Sequence, residues 1–437
     1  MSGSDPQTGL ESRLASRRAL AGVVGLGYAG LPLAVEIARS GFAVIGVDTD
    51  PARVAAVNGA RSYIGDVPGP TLRDLVASDR LRATWDYGEL RSCDAISICV
   101  PTPLRKTRDP DLTHVIEAAR ALSRHLSSDT LVILESTTYP GTTEEAVLPI
   151  LEESGLRAGD DLYLCYSPER VDPANSEYGT RNIPKIIGGV TSECLRMGRT
   201  YYGLVMDTLV PVSSPLAAES AKLLENTFRM VNVGLANETA ILCDRLGIDV
   251  WEVIDAAATK PFGFMPFYPG PGLGGHCVPV DPHFLSWKSR QTGYEPKLIR
   301  LASEINGGMP RHVAGRIQAA LNDHRKAVRG SRVHLVGVAY KPNVSDTRES
   351  PAKDVAALLG QMGAEVTYSD PHVRELRVGS RTLERCELLE GAGRADIAVV
   401  LTDHGGVDYR ALLNASVLLL DTRNALKGVA APNLLRL

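Results

Sequence analysis

The stretch GPGLGGHCVPVDP, residues 270–282, sets Cys277 behind two glycines, beside His276 and four residues before Asp281. A thiol so placed can be a metal ligand, half of a disulfide, a nucleophile or an ordinary loop residue. A metal site is not expected, because no other ligands stand at zinc spacing. The cysteines are Cys93, Cys99, Cys165, Cys194, Cys243, Cys277 and Cys386. They are scattered, odd in number and form no CxxC pair, which argues for a reduced, cytoplasmic protein with most thiols serving as small core residues.

Two more groups of side chains could do chemistry. Glu219, Lys222 and Asn226 fall at i, i+3 and i+7 in a breaker-free stretch that starts at Pro215. Lys222 and Asn226 thus share a helix face one turn apart, although a solvated polar stripe would give the same spacing. Near the start of the chain, Gly25, Gly27 and Gly30 spell G-x-G-x-x-G, and Asp48 ends the next apolar run. In such a motif the first glycine permits a tight turn, the second lets a pyrophosphate approach, and the third lets helix and strand pack closely. The acid can bond a ribose diol and would repel a 2′-phosphate, which favours NAD over NADP. Tyr28 and Ala29 within the motif and Arg53 beyond the acid join the cofactor candidates.

The elements that must position these groups follow an α/β rhythm. Val23 and Val24 end a first strand, Ala29 to Arg39 has helical composition, and Ala43 to Val47 is a second strand. DAISICVPTP and TLVILES are buried strands, and LYLCYSPERVDPANS supplies another strand end. Loops at strand C-termini are where open α/β sheets bind ligands. Thr102, the Glu135-Ser136-Thr137 stretch, Glu169 and Arg170 are therefore candidates. Thr142 and Glu145 fit a capping box for the helix that follows. The Gly-, Pro- and aromatic-rich KPFGFMPFYPGPG, with Tyr268 and Gly270, reads as an ordered loop that leads to Gly274 and Cys277. VHLVGVAY, a helix from Pro351 to about Gly363, AEVTYSD, ADIAVVLT and SVLLLDTR make a second nucleotide-type unit. Lys341 and Arg348, after its first strand, could meet phosphate or serve as surface charge.

The expected fold class is α/β, with two Rossmann-like domains joined by a long central helix. The expected boundaries are a flexible tail at 1–18, an NAD-binding domain at 19–210, a central helical domain with the cysteine loop at 211–325, and a C-terminal domain at 326–437. The chain has 437 residues and a net charge of -4, which argues against a broad nucleic-acid surface. No apolar run is long enough to span a bilayer, and the first residues lack the apolar core of a secretory signal.

GLGYAGLPLA, ICVPTP, the loop after LES, SPER, ExxKLxxN, GPGLGGHC and YKPNVSDTRES occur in that order. Together they resemble the UDP-glucose/GDP-mannose dehydrogenase family over roughly residues 20–430. The resemblance implies oxidation of a nucleotide sugar's C6 alcohol to a carboxylate with two NAD, through a thioester on Cys277. It further implies that Lys222 and Asn226 stabilise oxyanion character and that Asp281 orients water and partners Lys222. Glu169 and Thr137 would assist hydrolysis and proton transfer. The substrate set would be Glu169, Arg170, Lys222, Asn226, Tyr268, Gly270, Gly274 and Lys341. Thr102, Thr137 and Arg348 would join the cofactor set, and Lys341 and Arg348 would reach the active-site cleft from the C-terminal domain. SPERVDP and TKPFGFMPFYPGPGLGGHC look most like the branch that oxidises UDP-N-acetylglucosamine. The UDP-N-acetylmannosamine branch is the runner-up, and Val280 before Asp281 departs from the UDP-glucose pattern. A homodimer through the central helix, or a higher oligomer, is the implied assembly. A single-step hydroxyacid-type dehydrogenase would leave Cys277 without a task, and a silent nucleotide-sugar sensor would have no need of Cys277 and Lys222.

Overall fold

The computed structural model describes residues 9–105, 107–172, 175, 177–275 and 277–437. Contacts divide the chain into two compact units. One holds the chain up to Glu225 together with His283–Tyr294, and the other holds Asn226–Pro282 with Glu295–Leu437.

The first unit is built on eight strands: β1 (Leu20–Val24), β2 (Ala43–Val47), β3 (Leu81–Thr84), β4 (Ala95–Ile98), β5 (Thr130–Leu134), β6 (Leu162–Tyr166), β7 (Lys185–Gly189) and β8 (Leu209–Val212). Their order is β3-β2-β1-β4-β5-β6-β7-β8, and every neighbouring pair is parallel except β6 with β7. The first six strands therefore reproduce the 3-2-1-4-5-6 order of a dinucleotide fold. Apolar residues run without interruption because both faces are covered. Leu131 and Ile133 feed one core cluster, and Val132 and Leu134 feed the other.

The expected tail at 1–18 needs correction. Leu10–Ala15 is a helix whose Leu10 and Leu14, one turn apart, are buried in the first core. Residues 1–8 lie outside the described residues.

The second unit repeats the plan with β9 (Arg332–Val336), β10 (Glu365–Ser369), β13 (Glu384–Arg385), β14 (Ile397–Val400), β15 (Leu419–Asp421) and β16 (Leu434–Arg436). Their order, β13-β10-β9-β14-β15-β16, is again 3-2-1-4-5-6 in sequence terms. β11 (Arg377–Val378) and β12 (Arg381–Thr382) form a separate hairpin. The helix Pro215–Leu246 carries the chain from the first unit into the second and ends just before Gly247. The fold is thus two Rossmann-like α/β domains joined by a long helix. Among the described residues, no helix is long and apolar enough to cross a membrane.

Candidate active site

The glycine turn of the first unit has the geometry its spacing requires. Gly25 sits at φ 90°, and a Cβ there would lie 2.5 Å from the Cys99 carbonyl oxygen. At Gly30, the first residue of the Gly30–Arg39 helix, a Cβ would overlap the Gly25 carbonyl. Gly27 is different: the nearest atom to a Cβ is Arg53 Nη1 at 3.9 Å, so its side of the loop is open. Asp48 is buried at the end of β2 and accepts from Leu26 N at 2.8 Å, Asp50 N at 2.9 Å and Arg53 Nη1 at 3.2 Å. Tyr63 Oη donates to Leu26 O at 2.7 Å and steadies the turn from the other side. Tyr28 is exposed on the loop, and Ala29 is the residue just before the helix. An open glycine edge, a helix N-terminus and a carboxylate on the next strand fit an adenine dinucleotide.

The strand ends beside this cradle are more selective than the sequence suggests. Glu135 and Ser136 are both engaged by partners within the fold. Glu135 is buried against Lys185 Nζ at 2.5 Å and the Tyr202 hydroxyl, and Ser136 Oγ donates to Val100 O at 2.8 Å. Thr102 is buried, while Thr137 is half-buried at the loop's start.

The capping box is also corrected. Thr142 is helical, makes no side-chain cap bond and donates to Tyr139 O, whereas Glu145 pairs with Lys288. The cap comes from Glu219 instead. Its carboxylate accepts from Gly141 N at 2.5 Å and from Thr143 N and Oγ1 at 2.9 and 2.7 Å. Burial pushes this carboxyl up to about 7 against the opposing pull of those bonds.

Glu219, Lys222 and Asn226 are all buried, so the polar stripe is not a solvated one. No hydrogen bond or ion pair among the described residues engages the Lys222 ammonium, which leaves it available to a substrate oxygen. Glu169 Oε1 accepts from Arg170 N and Val171 N, each at 2.8 Å. Arg170 grips Glu225 through Nε at 3.3 Å and Nη2 at 2.7 Å, and its Nη1 donates to Pro184 O. These bonds occupy each nitrogen of the guanidinium, so its first task is to hold the SPER loop.

In the second unit the cysteine loop is set by packing. A Cβ at Gly274 would lie 2.8 Å from Tyr340 Cβ and 2.9 Å from Glu349 O. Gly275, at φ 89°, faces the Tyr340 ring and donates to Arg348 O at 3.2 Å. Cys277 follows as an exposed thiol. Its carbonyl accepts from Val280 N and Asp281 N, a turn that opens the Asp281–Gln291 helix. Asn226 Nδ2 donates to Asp281 Oδ2 at 2.5 Å, and both residues are buried.

Gly270 N donates to Asn237 Oδ1, Asn237 to Asn306, and Asn306 to Met230 O, which ties the loop to two helices. Tyr268 stacks on Trp251 and donates to Asp255, which also meets Lys427. Lys341 Nζ lies over the Tyr340 ring, and Arg348 binds Asp346 through Nε and Nη2. His276 lies outside the described residues.

Sequence reasoning missed Arg423, whose Nη1 is 2.5 Å from where a Gly270 Cβ would stand. The signal was its place after LLLD, at a strand's C-terminal end. Lys185 was also missed and carried no signal, since it opens an apolar strand.

Models of the UDP-glucose/GDP-mannose dehydrogenase family match three parts of the chain: its NAD binding domain at 19–205, its central domain at 216–307 and its UDP binding domain at 334–428. The chain belongs to this family. It is 37% identical to the UDP-N-acetyl-D-glucosamine 6-dehydrogenase of Pseudomonas aeruginosa over 353 residues, 80% of this chain and 82% of that one. With the UDP-N-acetyl-D-mannosamine dehydrogenase of Methanococcus maripaludis strain C7 it shares 35% over 388 residues, 87% and 85% of the two chains. The solved UDP-D-ManNAc dehydrogenase of Pyrococcus horikoshii superposes with a TM-score of 0.88 at 32% identity, covering 95% of this chain and 98% of that one. This family member is accordingly an NAD-dependent nucleotide-sugar dehydrogenase acting on a CH–OH group, with NAD as its cofactor.

Proposed function

We propose that the chain oxidises the C6 alcohol of UDP-N-acetylglucosamine to the carboxylate in two successive two-electron steps. The observation that carries the chemistry is Cys277, an exposed thiol on a glycine loop whose carbonyl caps the turn leading to the buried Asn226–Asp281 pair. NAD, held by Gly25, Gly27, Gly30, Asp48 and Arg53, supplies an acceptor for the hydride lost at each oxidation.

An aldehyde cannot yield a second hydride until a nucleophile adds to it. The Cys277 thiolate adds to that carbon, forming a C–S bond and a hemithioacetal, whose oxidation leaves a thioester. Lys222 and Asn226 stabilise the oxygen as it gains charge. Water then forms the C–O bond and passes a proton to Glu169, with Thr137 assisting. The C–S bond breaks, and Cys277 leaves as thiolate. Asp281, fixed by Asn226, orients that water. An unperturbed cysteine has a pKa of about 8.5 and only a small thiolate share at neutral pH. The Lys222 ammonium is proposed to raise that share.

The choice of sugar rests on SPERVDP and GPGLGGHC and on the N-acetylated substrates named for the relatives above. UDP-N-acetylmannosamine is the second reading, favoured by the Pyrococcus likeness. The test is NADH formed per sugar consumed, with UDP-N-acetylglucosamine, UDP-N-acetylmannosamine and UDP-glucose assayed separately. Two NADH, fastest with the first sugar, is the expected result. Two from another sugar overturns the substrate, and one with aldehyde accumulating overturns the role of Cys277.

A homodimer through the long helix is proposed as well. Leu224, Phe228, Leu235, Leu242 and Leu246 are exposed along one stripe at four- and seven-residue intervals, a seam that invites a second helix. Leu235→Glu with Leu242→Glu should convert the dimer to monomer in sedimentation velocity.

A further inference from the structure

Beneath the SPER loop lies an ion pair that the reaction above does not use. Lys185 Nζ meets Glu135 Oε2 at 2.5 Å with both side chains almost wholly buried. The same ammonium donates to Pro168 O at 3.2 Å, the residue just before Glu169. Tyr202 donates to the other Glu135 oxygen and lies 3.0 Å from Ser97 Oγ.

A second link runs the opposite way, from Arg170 to Pro184 O, the residue just before Lys185. Residues 168–170 and 184–185 therefore hold each other at two points, with Glu169 between them. Burial pulls the Lys185 amine's pKa down, but Glu135 and Glu169 outweigh it and hold it above its usual value. Glu169 thus acts on this ammonium electrostatically. A buried pair of this kind is weak evidence of stabilisation, since apolar residues of similar volume often serve as well. Its placement under one proposed reacting group, linked to that group's own loop, asks for another explanation.

Building on the thioester route proposed above, we propose that Lys185 is a positioning residue that sets Glu169 for thioester hydrolysis through its links to Pro168 and Glu135. Its ammonium is buried and taken up by Glu135 and Pro168. Oxidation should therefore survive its loss while hydrolysis slows.

The test uses the full chain with the sugar that supports turnover. Lys185→Met combined with Glu135→Gln removes both charges and leaves none buried alone. Circular dichroism establishes its fold. Its first-turnover NADH burst should stay within about threefold of wild type while steady-state turnover falls at least about tenfold, a fraction of the about 100- to 10,000-fold that a proton-transfer group contributes, because Glu169 is displaced and not removed. Intact-protein mass should then show the sugar acyl group accumulating on Cys277. Adding Glu169→Gln should cost little more, because residues acting as one unit are not additive.

Glu135→Gln alone keeps the shape and covers the case in which the double variant does not fold. Losing that carboxylate removes one of the two anchors of Lys185 beneath the SPER loop, so hydrolysis should slow several-fold while the NADH burst stays within about threefold of wild type. A folded double variant, or a Glu135→Gln variant, that hydrolyses at the wild-type rate overturns the role of Lys185 alone. A wild-type enzyme that makes no two-NADH turnover with any of the three sugars overturns the thioester route and this role together.

Discussion

The two sheets carry the same turn, with different things in front of it. In the first, Gly25 N donates to Val47 O, and Asp48, one residue past β2, accepts from Leu26 N. In the second, Gly337 N donates to Ser369 O, and Asp370, one residue past β10, accepts from Val338 N at 2.7 Å and Ala339 N at 3.1 Å. From there the chains diverge. After Gly25 the helix starts within a turn, and Gly27 leaves an open edge. After Gly337 the helix waits until Pro351, and the intervening loop brings Lys341 and Arg348. His404 covers the acid as well: its Nε2 donates to Asp370 at 3.0 Å, and its Nδ1 accepts from Asn343 N. One fold thus offers a backbone and helix-terminus site in one unit and a side-chain site in the other, in keeping with the family's NAD binding and UDP binding assignments.

The shared frame can be broken at its glycines. Gly25 and Gly337 both have positive φ, and a Cβ on either would press on the neighbouring strand's carbonyl, that of Cys99 or Thr402. Gly25→Ala and Gly337→Ala should each destabilise their own unit by at least about 3 kcal/mol. Urea unfolding followed by hydrogen exchange of each sheet reads this directly. Equal tolerance of alanine at both positions would mean that the turns are not held as described.

The difference can be sharpened at Gly27, which has no counterpart in the second unit. Gly27→Val should raise the Kd for NAD at least about 100-fold, because it fills the edge that a pyrophosphate needs. Melting temperature and UDP affinity should stay unchanged. Isothermal titration with each ligand separates the outcomes, and loss of UDP binding would contradict independent sites.

Much of this frame was legible in the sequence, because each part depends on neighbours in the chain. The glycine spacing, the acid after β2, the strand runs and the helix from Pro215 to Gly247 are local signals. What escaped depends on distant partners. Nothing near Thr142 says that Glu219, far along the chain, caps its helix. The hold of Glu225 and Pro184 on Arg170 is likewise invisible from its neighbours in the chain. Lys185, at the start of an apolar strand, gives no sign of its role until Glu135 is seen against it. The Leu10–Ala15 helix was readable, since Leu10 and Leu14 stand at i and i+4 in the segment assigned to a tail.

Acid should separate the two units by smaller amounts and in opposite directions. In the second sheet, His334 on β9 is buried between the Thr367 and Ser369 hydroxyls, and burial lowers its pKa from 6.5 to about 4. A depressed histidine stays neutral when folded, so its contribution is full above pH 6.5 and is lost as pH falls toward 4. In the first unit, Glu219 is raised from 4.5 to about 7 by burial, against the bonds from Thr143 and Gly141 and with a small push from Glu144. A raised carboxyl holds its proton when folded, so its contribution is full below pH 4.5 and is lost as pH rises through 7. Between pH 7 and 5 the β9–β10 region should therefore lose about 2 kcal/mol and the 138–147 segment should gain a similar amount. Hydrogen exchange, corrected for intrinsic rates at each pH, measures both in one sample. His334→Gln should flatten only the first trend and Glu219→Gln only the second. If one variant flattened both, the acid response would belong to the chain as a whole and not to these two buried groups.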